Sequence, residues 1–448
     1  MPAALTRPVR TMNQIDRYGS QSAHVACFAF ITVPRNYRDM RLLSQPDQQR
    51  WRKAMAREYD QLVKDHKTWD LRIKPDDAKP IPCTWVYVQK QGPNVKAEDA
   101  EKARLCARGD MQEFGVNYEE TFAPVCKLDS IRTMFAMANS LGLLIHQSDV
   151  KGAFVNAGLE GQTIWMDQPP GFERRGLKGE KLHCYLLKSL YGLKQAGRNW
   201  RSMLQEFLAS VGFISLESDM CVFKKEPAGV SSMFIVVWVD DLLTVYHPKD
   251  QSCFEEYWKS FSQRFDVKDM GLVSRYVGTD IGRDFENRIL TISQESSILD
   301  VLREFDMTEA HPKPIPLVAG LVLQKPSDDD TLTSKPYRMM VGKLMYPMVW
   351  TRPDIAFAVG SLSAHNSAAT DDHWNARMDV LRYLKGSSKL ALTFRGFDSF
   401  ILESFGDSDW AGDLQSGKSV WIFYFLVWLF DFMEKQEVYK CCHIYNNC

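Results

Sequence analysis

The sequence predicts an α+β fold, because strand-like and helix-like segments both occur along its 448 residues. The strongest strand signal is the stretch 233–246, which is apolar on both sides of Asp240 and Asp241. Continuous apolar and β-branched runs are typical of strands that are buried on both faces. The strongest helical signal lies in 47–65, where apolar side chains recur with the period of one helix face. A chain of this length is expected to form roughly two to four folded units.

The remaining elements follow from the same two periodicities. Helices are predicted over 47–65, 130–141, 199–210, 251–265, 296–305, 337–350, 355–363 and 373–384. Strands are predicted over 84–89, 105–107, 276–281, 288–293, 390–394 and 401–405, the first two as an antiparallel hairpin around a turn at 92–94. Ser130 is expected to cap its helix, and Thr351–Asp354 resembles a capping box with proline in the first turn. A loosely ordered lead-in is predicted over 1–45, and a linker over the Pro- and Asp-rich 311–330.

The composition is that of a globular protein and argues against several other classes. Hydrophobic residues make up 45% of the chain and charged residues 25%, and the formal net charge is −1. Any binding of nucleic acid therefore needs basic side chains that are gathered on a local surface. The 10 cysteines show no C-x-x-C spacing, so we expect reduced intracellular thiols rather than a disulfide framework.

Neither secretion nor membrane insertion is expected from the sequence. Residues 1–6 lack the apolar core of a signal peptide. The apolar run 420–430 is shorter than the roughly 20 residues that span a bilayer. The sequence therefore predicts an intracellular chain that has no contact with a membrane.

Three aspartates form the strongest candidate for a chemical site. Asp240 and Asp241 interrupt an apolar run where the chain must turn, which predicts a hairpin with carboxylates at its tip. Asp149 follows another apolar stretch, 141–145. Three carboxylates on neighbouring strands could hold two divalent metals about 3.5–4 Å apart, which clamp the attacking and leaving oxygens of a phosphoryl transfer. The alternative is an ordinary turn, since aspartate favours turns by bonding its own backbone.

A series of short motifs favours the catalytic interpretation. In chain order the motifs occupy 102–109, 118–125, 147–154, 168–172, 190–196, 239–241, 337–344, 351–355, 381–386 and 407–413. In this order they resemble the reverse transcriptase region of copia-type LTR retrotransposon polyproteins, followed by a truncated start of RNase H. The resemblance covers about residues 50–415. Many motifs in one order are far more specific than any one of them alone.

The resemblance implies a right-hand polymerase with fingers, a palm built on a ferredoxin-like antiparallel sheet, and a thumb. The implied divisions are fingers and palm 46–285, thumb and linker 286–335, connection region 336–398, start of an RNase H-like domain 399–419, and an aberrant hydrophobic tail 420–448. Asp407 would be the first metal-binding aspartate of RNase H. The further acidic residues that this fold needs are missing from the sequence after Asp407, so no RNase H activity is expected.

The reaction implied by the resemblance is RNA-directed DNA synthesis, in which a primer 3′-OH attacks a dNTP. Asp149, Asp240 and Asp241 would be catalytic and would hold two Mg²⁺ ions together with Val150, with Mn²⁺ as a substitute. The implied partners are an RNA template, a DNA or tRNA primer, dNTPs, and the capsid and integrase parts of the polyprotein. The implied location is a cytoplasmic virus-like particle or the nucleus.

Further residues are implied to bind the nucleotide. Phe154 would lie beneath the sugar and exclude a 2′-OH, and the alternative is a plain core aromatic. Lys102 and Arg104 would bind triphosphate oxygens, and the alternative is a solvated basic strand. Lys268 would lie near the leaving pyrophosphate, unless it is a surface lysine. The amide N–H groups that would face the triphosphate belong to Val150, Lys151, Gly152, Ala153 and Phe154.

Two more segments would contact the nucleic acid. The segment 190–196 resembles the one that packs against the templating base, with Tyr191 and Gly192 beside the nucleotide. Its glycine allows a close backbone approach, and the alternative is a strand-to-helix turn. The hairpin that would grip the primer, with an ordinary strand as its alternative, consists of Tyr276, Val277 and Gly278.

The sequence departs from the family pattern at two positions near these motifs. Gly197 stands where the family usually has proline, and Trp238 where it usually has tyrosine, so no metal ligand is lost. The leading hypothesis is a reverse transcriptase. A degenerate, non-catalytic remnant that at most binds nucleic acid is the alternative, because the C-terminal segment is altered. A different metal-dependent phosphoryl transferase would leave Phe154 and 191–196 unexplained.

Overall fold

The computed structural model describes residues 33–90, 100–226, 228–318, 320–321, 323–327 and 329–396, and the backbone of three later strands. The helices are α1 Tyr37–Arg41, α2 Gln45–Asp60, α3 Leu128–Ser140, α4 Ala153–Asn156, α5 Ala196–Ser210, α6 Gln251–Arg264, α7 Glu295–Glu304, α8 Tyr337–Trp350, α9 Ala356–Ser363 and α10 Asp371–Gly386. The strands are β1 Trp69–Arg72, β2 Cys83–Gln89, β3 Glu101–Ala107, β4 Leu144–Val150, β5 Trp165–Met166, β6 His183–Leu186, β7 Ile214–Ser215, β8 Val222–Lys225, β9 Met233–Trp238, β10 Asp241–Tyr246, β11 Val267–Leu272, β12 Arg275–Tyr276, β13 Thr279–Asp284, β14 Ile289–Ser293, β15 Leu392–Arg395, β16 Ile401–Ser408, β17 Trp421–Trp428 and β18 Cys441–Tyr445.

Helices and antiparallel sheets occur together, which confirms the predicted α+β class. The chain divides into two compact units. The first consists of Met1–Tyr59 and Thr84–Leu105, and the second of Asp60–Cys83 and Cys106–Cys448. No helix in the part of the chain that the structure describes is both long and apolar enough to cross a bilayer.

The first unit places α2 against the two-stranded sheet of β2 and β3. The predicted helical face forms, because Trp51 and Met55 are both buried. The Trp51 ring meets Tyr87 of β2 edge-on, with 5.3 Å between ring centroids. The Tyr87 hydroxyl lies 3.4 Å from the Met55 sulfur. Within the predicted lead-in, α1 forms with Asn36 as its side-chain cap. Residues 1–32 and the predicted turn at 92–94 lie outside the described residues.

The second unit is built on a six-stranded sheet in the order β11-β4-β10-β9-β8-β7. Its two most central strands, β10 and β9, are the predicted apolar run 233–246. Leu242 packs towards α5 and α6, whereas Leu243 packs towards α3. Successive strand residues point to opposite faces, so a sheet covered on both faces needs this unbroken apolar run. Each fully buried leucine contributes about 1.5–3 kcal/mol.

The cap predicted for α3 is wrong. The helix begins at Leu128, so Ser130 lies inside its first turn, and the cap position is Lys127. Asp219 accepts a hydrogen bond from the Lys127 amide at 2.8 Å instead. Burial alone would raise the pKa of Asp219, but hydrogen bonds from the amides of Lys127 and Cys221 outweigh it, and the pKa is lowered. A buried carboxylate from a distant segment therefore replaces the local hydroxyl.

The strand predicted over 276–281 is wrong, because the chain reverses within it. Strands β12 and β13 form a hairpin, and Val277 and Gly278 are its two loop residues. Their φ angles are 47° and 69°, and positive φ at both loop positions is the usual geometry of a tight hairpin. Strand β15 pairs with β14, so residues 392–395 complete a four-stranded sheet with this hairpin.

Helices α7 to α10 enclose a third apolar core, which includes Leu344, Val359 and Val380. The predicted capping box at 351–354 is wrong, because the Thr351 hydroxyl is buried and donates to Gln294 Oε1 at 2.7 Å. The predicted proline in the first turn is confirmed, since Pro353 begins a 3₁₀ turn that leads into α9. The described residues of 311–330 contain neither helix nor strand, as predicted for a linker.

Candidate active site

The three aspartates meet at one end of the six-stranded sheet. Asp149 is near the end of β4, Asp241 begins β10, and Asp240 lies with Val239 in the turn between β9 and β10. The predicted hairpin is therefore confirmed. Asp241 lies directly opposite Asp149 in the antiparallel register. Residues paired in this way point to the same face with Cβ atoms about 4.5–5.5 Å apart.

The electrostatics of the site reflect this crowding of negative charge. Burial, followed by the charges of Asp240 and Asp149, raises the pKa of Asp241 to about 6. A hydrogen bond with Gln147 acts in the opposite direction. Sequence reasoning missed Gln147, although it stands two residues before Asp149 and therefore on the same face of β4. The cluster is unfavourable by itself, and nearby positive charge would relieve it.

The donor chemistry fits a hard divalent cation. Carboxylate oxygens and a backbone carbonyl are the ligands that Mg²⁺ prefers. Over the described residues, no three His, Cys, Asp or Glu side chains are already arranged to hold a metal ion. Burial contributes most to the raised pKa of Asp241, and the charges of Asp240 and Asp149 add to it, so a bound cation would offset part of the shift.

A lysine extends the row of charged residues. Strand β11 pairs with the other edge of β4, and Lys268 lies directly opposite Asp149. On the other side of the row, Trp238 lies opposite Asp241. Paired positions across adjacent strands share a face. The register thus brings Lys268, Asp149, Asp241 and Trp238 to one face of the sheet. The role of Lys268 near the leaving pyrophosphate stays a prediction.

The turn that carries Asp240 is strained. Val239 has a φ of +60°, which costs a β-branched residue on the order of 1–3 kcal/mol. Two hydrogen bonds hold the turn. The indole Nε1 of Trp200 donates to the Val239 carbonyl at 2.7 Å, and the Val150 amide donates to the Asp240 carbonyl at 2.9 Å. Sequence reasoning missed both Trp200 and the strain, since no local pattern predicts a positive φ for valine.

Phe154 lies beside this turn. Its ring meets Tyr191 edge-on, with 5.5 Å between centroids and 75° between planes. With Val239, Trp200 and Gly197 it lines an apolar pocket of about 110 Å³. Phe154 is only partly buried, and it shares this pocket with Val239, the residue before Asp240.

Two of the amides expected to face a triphosphate are engaged elsewhere, so this part of the expectation is wrong. The Val150 amide bonds Asp240, and the Lys151 amide donates to the Asp266 carbonyl at 2.9 Å. The Lys151 ammonium also pairs with Asp266 at 2.9 Å. These bonds arise because the end of β4 remains attached to the sheet. The amides of Gly152, Ala153 and Phe154 lie at the start of α4.

The segment 190–196 is held by a close backbone crossing. Gly192 has a φ of +88°, and a Cβ built there would lie 2.2 Å from the Ala107 carbonyl oxygen. A Cβ on Gly109 would lie 2.0 Å from the Gly192 oxygen. The Ala107 amide donates to the Tyr191 carbonyl at 2.7 Å. The predicted need for close approach at Gly192 is met by the chain itself, and the matching role of Gly109 was missed.

A buried amide network fixes the next part of the segment. The Gln195 side chain donates to the Asn117 carbonyl at 2.9 Å and to Gln162 at 2.7 Å. Gln112 donates to Gln195 at 3.1 Å and accepts from the Lys194 amide at 2.9 Å. The partners are far apart in sequence, so no local signal could have indicated this network.

Three other predictions concern residues outside the cluster of three aspartates. Lys102 and Arg104 belong to the first unit. There, burial raises the pKa of Glu58, and the Leu105 amide and the charges of these two cations offset only part of the increase. Tyr276 is only 1% exposed, which argues against direct contact between its side chain and a primer. Asp407 lies in β16, opposite Ile422 in a separate three-stranded sheet. The predicted roles of Lys102, Arg104 and Asp407 stay predictions.

The chain matches one protein family and several transposon polyproteins in sequence. Residues 66–319 match the sequence model of a family described as reverse transcriptase (RNA-dependent DNA polymerase). The retrovirus-related Pol polyprotein from transposon TNT 1-94 of Nicotiana tabacum is 39% identical over 84% of this chain and 28% of that protein. The corresponding polyprotein from transposon RE2 of Arabidopsis thaliana is 35% identical over 81% of this chain and 24% of that protein. The chain spans about a quarter of the length of these relatives. A foamy viral protease-reverse transcriptase solved with double-stranded DNA has a TM-score of 0.41 at 10% identity, over 96% of this chain and 70% of that one.

Proposed function

Because this chain belongs to the reverse transcriptase (RNA-dependent DNA polymerase) family, we propose that it synthesises DNA on an RNA template. The reaction transfers a nucleotide from a dNTP to a primer 3′-OH and releases pyrophosphate. One observation supports this activity above the others: Asp149 and Asp241 are paired in register, and Asp240 is held beside them in a bonded turn.

The carboxylates of Asp149, Asp240 and Asp241, with the Val150 carbonyl, are the proposed ligands of two Mg²⁺ ions. When bound, the two ions would lower the pKa of the primer hydroxyl and offset the charge on the phosphates. Mn²⁺ is a proposed substitute, since its preferred ligands are also oxygen atoms. The protein itself mainly positions the reactants, as is usual for phosphoryl transfer.

The residues around the aspartates have distinct proposed tasks. The amides of Gly152, Ala153 and Phe154 donate to phosphate oxygens at the start of α4, and the Lys268 ammonium stabilises the leaving pyrophosphate. Tyr191 and Gly192 lie beside the nucleotide. Val277 and Gly278 contact the primer, while the buried Tyr276 supports their hairpin from below. Lys102 and Arg104 are proposed to bind the triphosphate.

The proposed organisation follows the family resemblance. Fingers and palm occupy 46–285, thumb and linker 286–335, and the connection region 336–398. The proposed partners are an RNA template, a DNA or tRNA primer, and the other products of the polyprotein. A cytoplasmic particle or the nucleus is the proposed location.

Primer extension tests the proposed function. We expect the chain to extend a DNA primer on an RNA template with dNTPs and Mg²⁺, and Asp240→Asn to reduce the rate by roughly 10²- to 10³-fold, because an anionic ligand of the ions that would stabilise the transition state is lost. Asp306→Asn is the control, since Asp306 is another aspartate in a turn, with a φ of 57°, but belongs to the loop after α7. A folded wild-type chain that extends no primer would favour the non-catalytic remnant.

Phe154→Val tests the proposed discrimination against ribonucleotides. Removing the ring opens space beside the sugar, so the preference for a dNTP over the matching NTP is expected to fall by about 10- to 100-fold. The measurement is kcat/KM for the two nucleotides on one template. Phe207→Val is the control, because Phe207 packs on Phe261 and Phe265 in the core beneath the site. An unchanged preference in Phe154→Val would assign the ring to packing alone.

A further inference from the structure

We propose that Trp200 is a positioning residue that holds the catalytic turn in its strained conformation. This inference rests on the proposed function only for its kinetic consequence. The structural part of the proposal is that the indole N–H of Trp200 stabilises the positive φ angle of Val239. Both partners belong to the second unit.

Core packing fixes the Trp200 indole independently of the turn. Trp200 lies in α5 and is only 2% exposed. Its ring packs edge-on against Phe265, with 5.3 Å between centroids and 81° between planes. A buried indole N–H needs an acceptor, and its acceptor is the Val239 carbonyl at 2.7 Å. The donor is therefore rigid, and its direction is set by core packing rather than by the hairpin.

The acceptor is the carbonyl of Val239, the residue whose backbone conformation is unfavourable in this hairpin. Val239 has a φ of +60°, and Asp240 does not share this positive φ. Hairpins with a positive φ at the first loop residue alone normally place glycine there. A valine needs outside contacts to stay in this region. The Trp200 hydrogen bond supplies such a contact, because its acceptor is the carbonyl of Val239 itself.

The strained conformation determines where Asp240 stands. Asp240 is the next residue, and its own carbonyl accepts from the Val150 amide at 2.9 Å. The turn is thus held on one side by α5 and on the other by the residue after Asp149. If the indole bond is removed, Val239 is expected to relax to a negative φ and to carry the Asp240 carboxylate away from Asp149 and Asp241.

The kinetic test uses a change that keeps the aromatic ring. Trp200→Phe removes the donor, and we expect kcat for primer extension to fall by about 10- to 100-fold. The KM for dNTP should stay within about threefold, because the nucleotide contacts are unchanged. Val239→Gly in the Trp200→Phe background should restore most of kcat, since glycine adopts the positive φ without strain. The proposal would be overturned if Val239→Gly did not restore kcat, or if the KM for dNTP rose by as large a factor as kcat fell.

Tyr337→Phe is the matched control for loss of one buried donor. The Tyr337 hydroxyl donates to the Leu362 carbonyl at 2.7 Å in the helical core around α8 and α9. Its removal is expected to lower the melting temperature and to leave kcat unchanged. A fall in kcat as large as that of Trp200→Phe would show that the kinetic effect reports general destabilisation instead of the turn.

A thermal double-mutant cycle tests the inference without relying on activity. With Trp200 present, Val239→Gly relieves strain, whereas in the Trp200→Phe background the turn has already relaxed and less strain remains to be relieved. The two effects of Val239→Gly on the melting temperature should therefore differ by at least about 2 °C. Additive effects would overturn the proposal that Trp200 holds the strained turn. If the wild type extends no primer while the cycle is non-additive, the proposed function fails and the proposed role of Trp200 stands.

Discussion

Gly192→Ala is expected to abolish most primer extension and to destabilise the second unit. The residue has a φ of +88°, and the added Cβ would lie 2.2 Å from the Ala107 carbonyl oxygen. The left-handed conformation alone costs alanine about 1–2 kcal/mol. The clash is with backbone, which cannot rotate away, so the crossing must open. Opening it breaks the bond between the Ala107 amide and the Tyr191 carbonyl and moves the Tyr191 ring away from Phe154. We expect extension to fall by at least about 100-fold, since small misplacements of a positioned reactant have effects of this size.

Gly142→Ala separates the clash from the backbone strain. Gly142 follows α3 with a φ of +64°, and a Cβ built there would meet no atom within 4 Å. This variant bears only the cost of the left-handed conformation, about 1–2 kcal/mol, and should retain extension. Rates and urea midpoints are compared for the two variants and the wild type. If Gly192→Ala behaves like Gly142→Ala, the close crossing is not what positions Tyr191.

Arg352→Ala is expected to lower the free energy of unfolding of the helical region by about 3 kcal/mol. The Arg352 side chain is 1% exposed and binds both carboxylate oxygens of Asp354, the nearest at 2.7 Å. It also donates to the carbonyl and the hydroxyl of Ser387 at 2.9 Å and 2.6 Å. Its removal takes this donor from all of these acceptors, although the Tyr383 hydroxyl still donates to Asp354 Oδ2. Asp354 is 32% exposed, so water can reach its carboxylate, which keeps the cost near the lower end for a broken buried pair.

An exposed ion pair in the same region is the control for Arg352. Arg303 pairs with Asp300 in α7, and their side chains are 62% and 69% exposed. Arg303→Ala should change the free energy of unfolding by less than about 1 kcal/mol, because water screens the pair. Urea unfolding followed by circular dichroism measures both variants. Equal small losses would show that the bonds of Arg352 contribute little to stability.

Sequence patterns predicted the elements well where the physics is local or periodic. The strands on either side of the turn at 239–240 were found because a sheet covered on both faces requires a continuous apolar run. Helix α8 was predicted with the bounds observed, and α5, α6, α7 and α10 within a few residues, because one face of each must be apolar to pack.

The two mistaken caps have a common cause, and the mistaken strand has another. Ser130 and Thr351 carry the right side chains for caps, but Asp219 and Gln294 are better placed partners once the chain has folded. The reversal at Val277 escaped detection because valine is a poor indicator of a positive φ. For the two caps, a contact between distant segments outweighed the local preference.

For the site, the sequence by itself determined which groups are available: three carboxylates, a lysine, an aromatic pair and a glycine at a tight crossing, in an order that identifies the family. Only the tertiary structure decided their register, which sets Lys268, Asp149 and Asp241 in one row. It also decided that an indole from α5 donates to the turn that carries Asp240 and that a buried amide network anchors Gln195. These features depend on residues far apart in the chain, and the energy of a hydrogen bond or a strained φ depends on where its partners stand, which no local pattern encodes.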